Sequence, residues 1–245
     1  MRAVVIIPTY NEADNIQRFL AQVRKDAPNT DILVVDDNSP DGTSQIAQNI
    51  ANQFGQIKVM TRNGKRGYAV ASREAMQAAI REGYDVIATI DADFSHDPKT
   101  LEQLITRVNE NTALVIGSRY VAGGQVTNWT LFRRLLSRWG NLYTSFGLKL
   151  TIKDCTSGFR AYSAKSLAQI NLAELTADGY AFLSEMALVI SRNKLGAIAE
   201  IPINYVDRTN GDSKMNTQIM RESMVLVTRW AFALRTGIGR KHLPR

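Results

Sequence analysis

The amino-acid sequence predicts an α/β protein built on a mostly parallel sheet with helices on both faces. Apolar runs of strand length alternate with stretches of helical period up to about residue 120. The connections between them are short, the pattern of strand–helix–strand units. Polar residues cluster at the carboxyl ends of the predicted strands: Tyr10 and Glu12, Asp36 and Asp37, Asp91 and Asp93. Sheets of this class bind ligands at that edge, near the point where strand order reverses.

Residues 3–7 read as a buried strand, a continuous apolar run closed by Pro8. A helix over 15–23 follows, with Ile16, Phe19, Leu20 and Val23 on one face. Residues 32–37 form a second strand ending in acids, 38–43 a turn and 44–54 a helix. A third strand covers 57–60 and leads into a basic, glycine-punctuated loop over 62–67. An alanine-rich helix over 69–82, a strand over 86–90, a helix over 98–109 and a strand over 113–117 complete this half. Next comes a helix from Trp129 towards Leu150, then a polar loop over 154–162 with one cation. Helices over 163–170 and 182–193, a strand over 198–205 and an amphipathic helix over 218–235 close the chain, with a basic tail over 240–245 that would fray and touch anionic lipid.

The 245 residues, 44% of them apolar, suffice for one large domain or one domain with an appendage. The formal charge of +7 calls for an anionic partner: nucleic acid, an acidic membrane surface or a phosphorylated substrate. One cysteine, Cys155, excludes an internal disulfide, and with two histidines it leaves too few ligands for a structural zinc site. The N-terminal apolar run is too short for a signal-peptide core. No stretch reaches the ~18 apolar residues of a membrane span. The chain should be soluble, or lie on a membrane without crossing it. Neither a Gly-x-Gly-x-x-Gly turn after the first strand nor a Gly-Lys-Ser/Thr loop is present, which weighs against a dinucleotide cofactor and a P-loop.

Asp91 and Asp93 carry the chemical reading. A strand runs directly into them, and residues two apart in an extended chain face the same side. Two carboxylates that close repel each other unless a cation stands between them. Mg²⁺ or Mn²⁺ bound together with phosphate oxygens meets that need. The alternative is a solvated acidic loop that caps the helix starting near Pro98. The segment 36–42 divides likewise between ligand edge and plain turn chemistry. On the helix from Trp129, Arg133 and Ser137 share a face, as do Arg134 and Arg138, among Trp139, Leu142, Tyr143 and Phe146. That pattern fits a helix at a membrane interface and, equally, a core helix with a solvated basic edge. The loop 207–215 holds Arg208 and Lys214 around Gly211, as a lid over phosphates or as an exposed turn.

Eight motifs occur in order. They are Pro8-Thr-Tyr-Asn-Glu12, Val34-Val-Asp-Asp-Asn-Ser-Pro-Asp-Gly-Thr43, Asp91-Ala-Asp-Phe-Ser-His-Asp-Pro98 and Gly117-Ser-Arg-Tyr120, then Arg133-Arg-x-x-Ser-Arg138 with Asn141, Thr156-Ser-Gly-Phe-Arg-Ala-Tyr162, Gly179-Tyr180 with Glu200-Ile-Pro-Ile203, and Asp207-Arg208 with Gly211-x-Ser-Lys214. Each is weak alone. The ordered set resembles the glycosyltransferase family 2 enzymes of the GT-A fold and, more narrowly, the polyprenol-phosphate (dolichol-phosphate) mannose synthases. The resemblance covers about residues 3 to 235.

The resemblance implies inverting transfer of mannose from GDP-mannose to a polyprenyl (dolichyl) monophosphate. A GT-A catalytic domain would span 1–212, its nucleotide-sugar half about 1–120 and its acceptor half about 121–212. A lid end, an amphipathic interfacial helix and the basic tail would occupy 213–245. Pro8, Tyr10, Glu12, Val35 and Asp37 would hold the guanine nucleoside. Asp91 and Asp93 would bind Mg²⁺ or Mn²⁺ at the diphosphate, with Ala92 against the nucleotide. Arg119, Arg208 and Lys214 would contact phosphates, and Arg119, Arg133 and Ser137 the acceptor phosphate. Asp91, Asp93 and Arg119 would be catalytic. A phosphate monoester, with its second pKa about 6, needs charge management rather than a general base. The acceptor would place the protein peripherally at the cytoplasmic face of a membrane, through interfacial helices, a separate anchoring partner or both, and no nucleic acid is expected.

Two positions depart from the family pattern. Ala69 stands where a second glycine is usual, a cost if the backbone there needs positive φ. Ser95 stands where some relatives carry a metal-binding glutamine. His96 reads as structural. Two other functions compete: the same transfer of glucose or N-acetylglucosamine from a UDP-sugar, and a non-catalytic basic module for membrane or nucleic acid.

Overall fold

The computed structural model of the chain describes residues 1–207, 217–239 and 243–244, apart from the side chains of residues 180 and 217–220. The N-terminal half alternates β1 (Ala3–Thr9), α1 (Ala13–Asp26), β2 (Asp31–Asp36), α2 (Thr43–Phe54), β3 (Ile57–Thr61), α3 (Tyr68–Arg81) and β4 (Val86–Thr89). A 3-10 turn (Pro98–Thr100) leads into α4 (Leu101–Arg107), then β5 (Thr112–Ser118) and β6 (Gln125–Thr127). The remainder is α5 (Leu131–Leu148), β7 (Arg160–Ser163), α6 (Ala164–Leu167), α7 (Gly179–Arg192), β8 (Ala197–Pro202), β9 (Asn204–Val206) and α8 (Thr217–Thr236).

Seven strands make one sheet in the order β3-β2-β1-β4-β7-β5-β8. Only β7 runs antiparallel, between β4 and β5. The sheet is buried on both faces, which explains the unbroken apolar runs. Along β1, Val4 and Ile6 join one hydrophobic cluster, while Val5 and Ile7 join the other. Strand order reverses between β1 and β4, so a crevice opens beyond their carboxyl ends.

β1 continues through Pro8 rather than ending before it. The Ile6 carbonyl accepts from Ile90 N, so alternate residues of β1 point their peptide groups towards β4. The pairing with β4 ends at Ile6 opposite Thr89, so at Pro8 no ladder bond is lost. Residues 154–162 are not all loop, because β7 starts at Arg160. The Arg160 side chain is fully buried and donates to the carbonyls of Ser157 (2.7 Å), Leu183 (2.7 Å) and Cys155 (2.8 Å). The expected strand over 198–205 splits at Ile203. Its first part pairs with β5 at the sheet edge; its second part pairs with β6 in a separate two-stranded sheet. The expected helix over 163–170 is one short turn, α6.

α5 and α8 lie side by side. Gly147 permits this approach: a Cβ there would stand 3.4 Å from the Ala231 Cβ. Arg235 of α8 donates to the carbonyls of Gly147 (2.7 Å) and Phe146 (2.9 Å), a cation closing the C-terminal turn of α5. The outer surface of α5 exposes Leu131, Phe132, Leu135, Trp139, Leu142 and Phe146. Trp139 and Tyr143 stack at 5.5 Å. No helix among the described residues is long and apolar enough to cross a membrane.

Candidate active site at the carboxyl edge of the sheet

A cavity of about 1350 Å³ opens at the crevice. The end of β1 contributes Pro8 and the segment after it Tyr10 and Glu12, the position just after β2 contributes Asp37, and the segment after β4 contributes Asp91, Ala92 and Asp93. The opposite wall comes from residues 176–179 and from α8. Seven of the residues named from the sequence thus line one space.

The turn after β2 supports the segment after β1. Asn11 N donates to Ser39 Oγ (3.0 Å), Glu12 N to Thr43 Oγ1 (2.9 Å) and Ala13 N to Asp41 Oδ2 (3.0 Å). Burial pushes the Asp41 carboxyl up, but hydrogen bonds from Thr43 and Ala13 outweigh it and hold its pKa below the ordinary value. Asp36 is spent in the same way, accepting from Thr9 Oγ1 (3.0 Å), Ser39 N (2.8 Å) and Ser39 Oγ (2.6 Å). Turn chemistry therefore accounts for Asp36 and Asp41. Asp37 reaches the cavity, with one oxygen taking a bond from the buried Arg62 and the other from Gly67 N at 2.7 Å. Arg62 also holds Glu74 through Nε (2.7 Å) and Nη2 (2.9 Å).

Asp93 is buried, and its Oδ1 accepts from Ser95 N at 3.0 Å. Asp91 lies beside Gly158. A Cβ on residue 158 would meet Tyr68 Oη at 3.3 Å and Asp91 Oδ2 at 3.4 Å, so glycine keeps this corner open. His96 Nε2 lies 4.0 Å from Asp91 Oδ2, and its ring packs against Phe159 and Tyr205. Burial pushes the imidazole down to about 4 against the pull of Asp93, so His96 is neutral at pH 7. Among the described residues, no group of three or more His, Cys, Asp or Glu converges. Two hard carboxylates, with no third His, Cys, Asp or Glu beside them among the described residues, suit an ion that takes further ligands from phosphate and water, as Mg²⁺ and Mn²⁺ do. The residues fit such an ion.

Other residues named from the sequence lie elsewhere. The Val35 side chain packs in the hydrophobic core, because strand alternation turns it away from the cavity. Arg119 is nearly buried in a cage of its own. Its Nε and Nη2 hold Asp154 (both 2.7 Å), and Nη2 also donates to Thr156 Oγ1 (2.7 Å). The rings of Tyr120, Trp129 and Tyr205 surround it at 5.4–5.7 Å. Burial opposes the Arg119 charge, but Asp154 outweighs burial and raises its pKa further; Arg119 in turn holds Asp154 below the usual carboxylate range. Arg133 donates to Asp207 Oδ2 (2.6 Å) and lies over the Trp129 ring. Ser137 Oγ accepts from Tyr120 Oη (2.6 Å). Val35, Arg119, Arg133 and Ser137 are not part of the cavity lining. Arg208 and Lys214 lie outside the described residues, as do most of the loop 207–215 and residues 240–242 and 245 of the tail.

The structure adds lining residues to which the sequence reading gave no ligand role: Arg66, Tyr68, Asp178, and Arg221, Glu222 and Arg229 of α8. Arg66 carried a usable signal, since it lies in a basic loop after a parallel strand. The α8 residues carried none that distinguished ligand from solvent. Ala69 brings no strain: it lies inside α3, and the positive φ of this stretch belongs to Gly67.

Comparison with known proteins agrees with this architecture. The chain is 41% identical to an undecaprenyl-phosphate mannosyltransferase of Micrococcus luteus over 96% of both chains. It is 39% identical to a polyprenol monophosphomannose synthase of Mycolicibacterium smegmatis over 94% of this chain and 86% of that one. Among solved structures, it shares its fold with glucosyl-3-phosphoglycerate synthase from Mycobacterium tuberculosis (TM-score 0.65, 19% identity, 97% and 81% covered). It shares it also with a mannosyltransferase from Pyrobaculum calidifontis (TM-score 0.61, 17% identity, 97% and 65% covered). The model of glycosyl transferase family 2 matches residues 4–170, and with the two relatives it shows that this chain belongs to that family.

Proposed function

We propose that the protein transfers mannose from GDP-mannose to a polyprenyl monophosphate at a membrane surface, with inversion, giving polyprenyl-phosphate β-mannose. One observation carries this reading: Tyr10, Glu12, Asp37, Asp91 and Asp93 line a single cavity in a chain that matches a lipid-phosphate mannosyltransferase end to end. An acceptor phosphate oxygen forms the bond to the anomeric carbon as the bond to GDP breaks. The acceptor is already an anion near neutral pH, so no side chain has to remove a proton. Asp91 and Asp93 would hold Mg²⁺ or Mn²⁺, which would stabilise the departing diphosphate.

Pro8, Tyr10, Glu12, Asp37 and Ala92 form the nucleotide end of the proposed site. Arg119 offers the donors of Nη1, which Asp154 leaves uncommitted, and Arg208 and Lys214 would add charge over the phosphates. Arg133 and Ser137 would receive the acceptor phosphate at the inner side of α5. The exposed apolar face of α5 would rest in the membrane interface, with the aromatic residues at headgroup level. In this reading, residues 1–120 serve the donor and 121–212 the acceptor, although one sheet takes strands from both.

The test is transfer of labelled sugar from GDP-mannose to a short polyprenyl phosphate, with Mn²⁺ or with chelator. Label in the lipid phase that depends on the metal is the expected result. Transfer from UDP-glucose alone would replace the donor, and GDP-mannose binding without transfer would replace the acceptor.

A further inference from the structure

We propose that Arg66 reads the base of the donor nucleotide, so that the loop between β3 and α3 selects guanine over uracil. This rests on the reading of the cavity as a GDP-sugar site. Arg66 lines the cavity, with its guanidinium carbon 4.9 Å from the centre of the Tyr10 ring. Nη1 donates to Tyr10 Oη at 2.9 Å, and Nη2 makes a long contact of 3.4 Å with the Asn38 carbonyl. A guanidinium has five N–H groups, so three remain for a ligand.

The charges of this loop are divided. Arg62 is held by Asp37 and Glu74, and Lys65 reaches Asp178 across the cavity rim at 3.0 Å. Arg66 forms no salt bridge among the described residues and is the loop cation left facing the cavity. Its neighbours are fixed on both sides. The Lys65 carbonyl accepts from Arg62 Nη2 at 3.1 Å, and Gly67 N donates to Asp37 at 2.7 Å. The guanidinium is therefore presented by an anchored backbone, which lowers the cost of ordering it on binding.

Guanine carries two adjacent acceptors, O6 and N7, which a guanidinium meets with two parallel N–H bonds. Adenine replaces one of them with a donor. Uracil has a carbonyl without a ring-nitrogen acceptor beside it. A cation beside an aromatic ring at the nucleotide end thus distinguishes guanine by its edge, not by charge alone.

Calorimetric titration of GDP and UDP, with Mn²⁺ present, into the parent, Arg66→Gln and Arg66→Lys tests this. The parent should prefer GDP. Arg66→Gln should weaken GDP on the order of 10- to 100-fold and leave UDP within about 2-fold. Arg66→Lys keeps the charge but loses the fork, so its preference should also fall. Equal weakening of GDP and UDP, or an unchanged ratio, overturns the proposal while the donor reading stands. A parent that prefers UDP overturns the donor reading and this proposal with it. Arg66 is exposed, and unchanged melting temperatures would confirm that the variants fold.

Discussion

Asp93 follows β4 and Arg119 follows β5, the two strands that flank β7. Asp93 lines the cavity, while Arg119 is turned into a cage of one carboxylate and three rings. The acidic side of the proposed site is placed by backbone: its side chains are short and follow strand ends held in register. The basic side is placed by partners, because a long cation goes to a carboxylate within its reach, buried or half-exposed. Arg119 goes to Asp154, Arg133 to Asp207 and Arg62 to Asp37 and Glu74. An acid at a strand end therefore locates a ligand, whereas a cation in a motif first needs its counter-ion identified.

The strongest way to break this contrast is Asp93→Ala. If the acidic side is the reactive edge, transfer should fall on the order of 10³-fold, roughly 4 kcal/mol, with melting little changed. Activity within about 10-fold of the parent, measured at saturating donor and metal, would remove the acids from the mechanism.

Asp154→Asn probes the other side through stability. It leaves the buried Arg119 charge without its counter-ion, which should cost about 3 kcal/mol and show as a lower urea midpoint. The pair also sets a pH window. Arg119 holds the folded Asp154 pKa below its unfolded value of about 3.9. Its stabilisation is complete above that value and is lost as pH falls through the folded pKa. The parent should thus lose part of its stability below about pH 4, and Asp154→Asn should show a flatter acid limb. Parallel limbs for the two proteins would mean that Asp154 does not contribute.

The legibility of the sequence follows the same division. Continuous apolar runs announced the parallel strands, and residues at their ends announced the cavity, because periodicity and topology leave little choice there. β7 has no such signal: it is four residues long and begins with an arginine, whose burial depends on the carbonyls of a bend just before it (Cys155 and Ser157) and on that of Leu183, 23 residues away. The break at Ile203 depends on β6, a three-residue partner without a pattern of its own. The side chain of Val35 faces the core, which its motif does not show, because a motif names neighbours along the chain without saying which face each one takes. The role of α8 in the lining depends on tertiary packing alone, whereas Arg66 is signalled by its place in a basic loop after a parallel strand.

On α5, Leu142→Asp with Phe146→Asp separates a membrane-facing surface from a merely exposed one. Both side chains are largely exposed, at 69% and 73%, so folding should tolerate the change. If they enter the interface, binding to anionic vesicles should fall roughly 30-fold, the loss expected for about 2 kcal/mol of apolar burial. Unchanged flotation with vesicles would leave α5 as a solvent face.

Arg133 gives the smallest effect and the finest distinction, because it belongs to the basic side yet is not caged. Its side chain is 36% exposed, and its partner Asp207 is 29% exposed. A half-solvated pair contributes about 1 kcal/mol or less, so breaking it should barely move stability. A phosphate acceptor would compete with Asp207 for the same guanidinium. Arg133→Ala should then raise KM for polyprenyl phosphate about 10-fold and leave kcat within about 2-fold, the loss of a charge-assisted bond made before the reaction and kept through it. Asp207→Asn should act in the opposite direction, lowering that KM a few-fold by releasing Arg133. Two substitutions on one ion pair with opposite effects on one constant would identify a cation shared between fold and substrate. Changes of the same sign would make the pair a strap between α5 and the segment after β9.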